Sequence, residues 1–155
     1  MSSNNTRRLF TFDECLRMAE AGILSPDERV ELVGGEIVVM SPIGPRHAVA
    51  VDRAPRALVR LCGESAIVRT QGTVVLDRFV APQPDLALLR PKSDEYLSMH
   101  PAAKDILLII EVADSSFDYD TTTKLVLYAI LGIKEYWVAD LQRRRLVVHC
   151  LRLNQ

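Results

Sequence analysis

Cysteine is scarce in this chain of 155 residues. The three present, Cys15, Cys62 and Cys150, form an odd, scattered set with no C-x-x-C spacing. They offer neither a disulfide framework nor a zinc-thiolate site. The three histidines, His47, His100 and His149, also lack ligand spacing, so no zinc site is expected from them. An excess of one charge is missing too: 19 Lys and Arg stand against 20 Asp and Glu, a net charge of −1. Any nucleic-acid binding must therefore rest on a local patch rather than on a basic chain. Long apolar runs are absent. The longest, Leu125 to Ile133, falls far short of the ~20 residues that span a bilayer. The N-terminus, Met1 to Arg8, is polar and no apolar signal core follows it, so a reducing cytoplasm is the expected compartment. There is no G-x-S-x-G elbow, no G-x-x-x-x-G-K-[ST] and no G-x-G-x-x-G, which removes the usual serine-hydrolase and nucleotide-binding signals. Repeats, low-complexity tracts and linkers are likewise missing.

What remains is an ordinary globular composition, 48% hydrophobic and 25% charged, with enough apolar material for one core. Thr11 with Glu14 three residues on predicts a capped helix to Ala21, ended by Gly22. Arg29 to Met40 reads as two β-rich runs around Gly34-Gly35, a hairpin signal. Residues 46–62 carry an apolar stripe (Val51, Ala54, Leu58, Leu61) and a separate arginine stripe (Arg46, Arg53, Arg56, Arg60), as an amphipathic helix does. Pro55 lies inside it and predicts a kink or a shorter helix. Strands are expected at 66–69, 73–76, 84–89, 135–139 and 146–151. The strongest strand, Asp105 to Val112, is apolar on both faces, as a covered central strand should be. Asp120 is expected to start a helix from Thr121 to about Leu131. The order predicts an α/β or α+β domain with a mixed central sheet and helices packed on it.

Glu111 is the anomaly. It ends that apolar strand, where a carboxylate either frays into water or needs a cation or hydrogen bonds to compensate its burial. Asp85 opens the strand after Pro84. If the two strands pair antiparallel, Asp85 and Glu111 meet at one end of the sheet. Two adjacent carboxylates must share a proton or a cation, and hard oxygen ligands suit Mg²⁺ or Mn²⁺. Lys124, in the second turn of the following helix, either pairs with Asp120 at the surface or leans back toward the carboxylates.

These residues, in order, carry a resemblance. Pro84-Asp85 followed by Glu111-Val112-Ala113 is similar to the P-D…(D/E)-x-K pattern of the restriction-endonuclease-like nucleases. More closely, the chain resembles a bacterial restriction-endonuclease-like family within that PD-(D/E)xK superfamily. The matching stretches are Arg29 to Glu36, Met40-Ser41-Pro42 with His47, Pro84-Asp85-Leu86, Ile110 to Ser116, Asp120 with Lys124 and Tyr128, and Gly132 to Asp140. The resemblance implies a restriction-endonuclease-like core over residues 1–155. Family members carry more sheet beyond the strand at 146–151, so the domain is expected to be cut short at its C-terminus. It also implies a metal held by Asp85 and Glu111, with Glu31 as a further ligand. Ala113 fills the usual lysine position, and in this family the lysine has migrated to the next helix, here Lys124.

The expectation is a Mg²⁺- or Mn²⁺-dependent endonuclease acting on DNA, with catalytic residues Asp85, Glu111 and Lys124. His47 is a candidate auxiliary or a packed helix residue. Arg53, Arg56 and Arg60 are candidate phosphate contacts or a solvated helix face. A homodimer would supply two sites for two strands. The alternative is a non-catalytic nucleic-acid-binding or assembly module on the same fold.

Overall fold

The computed structural model describes residues 6–150. Met1 to Asn5 of the polar N-terminus, and Leu151 of the last expected strand, lie outside them. Helix α1 (Phe12–Glu20) begins with the expected capping box. Glu14 N–H donates to Thr11 Oγ1, and Thr11 N–H donates to Glu14 Oε2 at 2.9 Å. Strands β1 (Val30–Val33) and β2 (Glu36–Val39) form an antiparallel hairpin. Gly34 and Gly35 both take positive φ between them, which a side chain would oppose. Helix α2 (Pro45–Cys62) starts with proline in its first turn and runs through Pro55.

The main sheet holds β3 (Ile67–Thr70), β4 (Leu86–Leu89), β5 (Ile106–Ala113), β6 (Glu135–Asp140) and β7 (Arg145–Cys150), in that spatial order. The β5–β6 pair is parallel and the others are antiparallel. This is a mixed α+β architecture, a five-stranded sheet flanked by helices. On one face Leu86, Leu88, Leu108 and Ile110 pack against Ala54, Leu58 and Cys62 of α2. On the other, Ala87, Leu89, Ile109 and Ala113 join Tyr128, Ile133, Tyr136 and Val138. Alternation along β5 thus places Glu111 on the second face, with Ile109 and Ala113.

Two elements differ from expectation. Thr73 to Leu76 is not a strand. Val74 and Val75 donate their N–H groups to Pro82 and Pro101 carbonyls, so no partner ladder forms in this proline-flanked stretch. The helix after β5 starts earlier than Asp120. It runs as α3 (Phe117–Tyr119), a π turn (Asp120–Lys124) and α4 (Leu125–Ile130). Asp120 N–H donates to the Ser116 carbonyl four residues back at 2.9 Å, so it lies within the helical stretch rather than opening it. No helix of the described residues is long and apolar enough to cross a membrane.

Candidate functional site

Register brings the acids together. Leu86 pairs with Ile110, so Asp85, one residue before β4, falls beside Glu111. Asp85 N–H donates to Glu111 Oε2 at 3.2 Å, and Val112 N–H donates to Asp85 Oδ2 at 2.9 Å. Each carboxylate is thus held by the other strand's backbone. His47, in the first turn of α2, reaches Asp85 Oδ2 with Nε2 at 3.0 Å. His47 Nδ1 is buried and finds no partner among the described residues. Gln71 donates to Asp85 Oδ1.

The π turn supplies the cation. Such turns insert a residue into the helix and are frequent at functional sites. Lys124 Nζ donates to Glu111 Oε1 at 2.9 Å and to Glu31 Oε1 at 3.2 Å. It is only 5% exposed, so its surface pairing with Asp120 does not occur. Glu31, on β1, also accepts from Gln83 N–H at 2.8 Å. Its Oε1 is therefore occupied by Lys124 and the chain backbone. Tyr128, on α4, donates its hydroxyl to Glu111 Oε1 at 3.0 Å.

Charge here is unbalanced. Glu31, Asp85, Glu111 and Asp120 are all buried, against one buried lysine. Burial pushes the Glu111 carboxyl up to about 8; Lys124 opposes this, while Asp85, Asp120 and Glu31 reinforce it. Asp120 is raised by burial as well, against the Ser116 hydroxyl and Lys124. Burial pulls the Lys124 ammonium down, but Glu111, Glu31 and Asp120 together outweigh it and hold it above the ordinary lysine range.

A cleft of about 480 Å³ opens onto this centre. Asp85, Glu111, Asp120, Lys124 and His47 line it, with Ser115, Ser116, Tyr119, Arg29 and the segment Val38 to Gly44. Among the described residues no three His, Cys, Asp or Glu side chains form a ready metal cluster. The donor set still fits a hard divalent ion. Two carboxylates at one sheet end, with surplus negative charge and an open side for water, match the way Mg²⁺ is bound by one or two carboxylates.

Arg53, Arg56 and Arg60 are exposed on α2, and none lines the cleft. Arg46 lines no part of it either; it lies 3.4 Å from Asp114 and donates to the Leu141 carbonyl. His100 packs edge-on against Phe12, and His149 stacks on Tyr136. Sequence reasoning missed Asp120, Tyr128, Gln71 and Arg29 as members of the site. The spacing of Asp120, Lys124 and Tyr128 at four and four was the signal for two of them.

The sequence matches the family described as "Uma2: Putative restriction endonuclease" over residues 12–155. Among solved structures it is similar to a putative nuclease belonging to DUF820 from Anabaena variabilis ATCC 29413. That likeness has a TM-score of 0.76 and 13% identity, covering 94% of this chain and 82% of the other. At that identity the shared feature is the fold. No curated protein sequence gives a significant match.

Proposed function

Because the chain belongs to the Uma2 family of putative restriction endonucleases, we propose that its acid-lined cleft hydrolyses phosphodiester bonds of DNA with a divalent ion. In this reading the site is a PD-(D/E)xK centre whose lysine sits on the following helix. The observation that supports it is the meeting of Asp85, Glu111 and Lys124, buried together at the base of an open cleft.

Asp85 and Glu111, with the Val112 carbonyl, would hold Mg²⁺ or Mn²⁺. Such an ion, when bound, neutralises phosphate charge and lowers the pKa of a water. The chain's own residues do the rest. Lys124 carries a fixed ammonium beside Glu111, placed to steady the negative charge that grows on the phosphate oxygens. Glu31 and Glu111 keep that ammonium from swinging away. Glu31 acts here as the anchor of the lysine, since its Oε1 already accepts from Lys124 and Gln83. His47 and the Val112 N–H fix the Asp85 carboxylate.

The test is a pair of measurements. Calorimetric titration with Mn²⁺ should show binding that disappears in Asp85→Ala, and the parent should cleave DNA only with the ion present. A parent that binds no Mn²⁺ and leaves DNA intact would instead fit a non-catalytic module on the same fold.

A further inference from the structure

The cleft has a side that the proposed hydrolysis does not use. Its base is acidic. The stretch from the end of β2 toward α2 gives the cleft an apolar side: Val38, Val39, Met40, Pro42 and Ile43 all line it. Val39 is 63% exposed and Ile43 41%, so both leave apolar surface open to solvent. Tyr119, half-buried on α3, lines the same cleft and carries its ring 6.0 Å from Lys124 Nζ. A sugar-phosphate backbone has little apolar surface to set against such a wall. A nucleic-acid base has a flat apolar face, but in a duplex that face is stacked inside and only its edges are reachable.

Cations around the cleft are few. Lys124 is committed to Glu31 and Glu111. Arg29 is the other fixed positive charge lining the cleft, and it makes no ion pair among the described residues. Proteins that hold duplexes neutralise several phosphates at once, and Arg53, Arg56 and Arg60 lie away from this cleft. The volume of about 480 Å³ suits one small ligand unit (sites of this kind run roughly 300–1,000 Å³).

Resting on the phosphodiesterase reading above, we propose that the cleft takes an unpaired nucleotide of a single strand. Its base lies against Val39, Ile43 and Tyr119, a neighbouring phosphate meets Arg29, and the scissile phosphate stands over Asp85 and Glu111. Recognition is then local, through one base and one or two phosphates, rather than along a duplex groove.

Fluorescence anisotropy with a labelled 12-nucleotide single strand and its matching duplex, in Ca²⁺, tests this. The single strand should bind at least tenfold tighter. Its log affinity should fall with log salt at a shallow slope, about −1, and Arg29→Gln should flatten that slope further. The double variant Val39→Ser with Ile43→Ser alters exposed side chains only. It should weaken single-strand binding at least fivefold while Mn²⁺ affinity by calorimetry stays the same. Tyr119→Leu should also weaken the strand, and Tyr119→Phe should restore it. Duplex binding equal to or tighter than single-strand binding overturns the proposal, as does parental affinity in the Val39/Ile43 variant. Mn²⁺ binding with no strand binding overturns this substrate assignment and leaves the hydrolytic site standing. Strand binding with no Mn²⁺ binding overturns the metal reading and leaves the base-binding wall.

Discussion

The Lys124 ammonium pairs with Glu31 and Glu111 and lies 6.0 Å from the centre of the Tyr119 ring. Replacing the lysine with methionine keeps most of the stem and removes the charge, while leaving Glu31 and Glu111 buried without their cation. Lys124→Met should still bind Mn²⁺, and cleavage should fall ~100-fold or more, the scale of losing one preorganised electrostatic group. Single-turnover cleavage checks this, and a parental rate would remove the lysine from the mechanism. Glu111 gives a second prediction. Burial pushes its carboxyl from the ordinary 4.5 up to about 8 in the folded chain. Between those values the folded state keeps a proton that the unfolded state has released, so metal-free stability should decline as pH rises through that window. Thermal melts at pH 5.5 and pH 8.5 should show a lower Tm at the higher pH, and saturating Mn²⁺ should reduce the difference by taking the proton's place. At this scale the meeting of Asp85 and Glu111 was legible in the sequence, because one acid opens an apolar strand and the other ends one. The residue pattern left Lys124 between a surface pair with Asp120 and the carboxylates, and the resemblance alone chose between them. Asp120 and Tyr128 were not recognised, because an aspartate before a helix looks like a cap and a helical tyrosine looks like core. Their roles depend on which way the helix is rotated.

Among the elements, β4 and β5 matter most, because their antiparallel register alone brings residues 26 positions apart into hydrogen-bond contact. Apolar runs and the residues that stop them made both strands readable. The stretch at 73–76 was misread for the opposite reason. Its β-rich composition is real, but its backbone bonds go to Pro82 and Pro101, and composition does not report the partner. The π turn was also beyond the sequence, since an extra residue in a helical repeat leaves no mark in residue types. Pro55 makes a testable case. It sits inside a helix that continues on both sides, where its ring displaces one backbone hydrogen bond. Pro55→Ala should therefore raise stability by roughly 1–3 kcal/mol, the helix gain reduced by the freer unfolded chain. Urea denaturation checks it, and an unchanged or lower midpoint would mean that the surrounding packing depends on the proline.

For the whole molecule, the balance of charge sets how it meets a polyanion. A chain of net charge −1 has little long-range pull on nucleic acid. One cleft that engages one strand also has no need of a second site. Specific activity on a single-stranded substrate should then be independent of protein concentration. A rate that rises with the square of concentration, measured by dilution, would support the expected homodimer. The layered α+β arrangement was legible in the order of elements. The position of the hairpin was not, since β1 and β2 form a sheet of their own. That separation has a consequence for motion. The hairpin is held to the segment leading into β4 by the Leu32–Ala81 bridge, by Gly35 N–H to the Phe79 carbonyl and by Gln83 to Glu31 and Val30, but it shares no strand ladder with the main sheet, whereas Asp85 and Glu111 are fastened to the central strands. Partial opening should free the hairpin first. Amide protons at 30–39 should therefore exchange for deuterium sooner than those at 107–112, and mild urea should release a bound strand before it releases a bound ion.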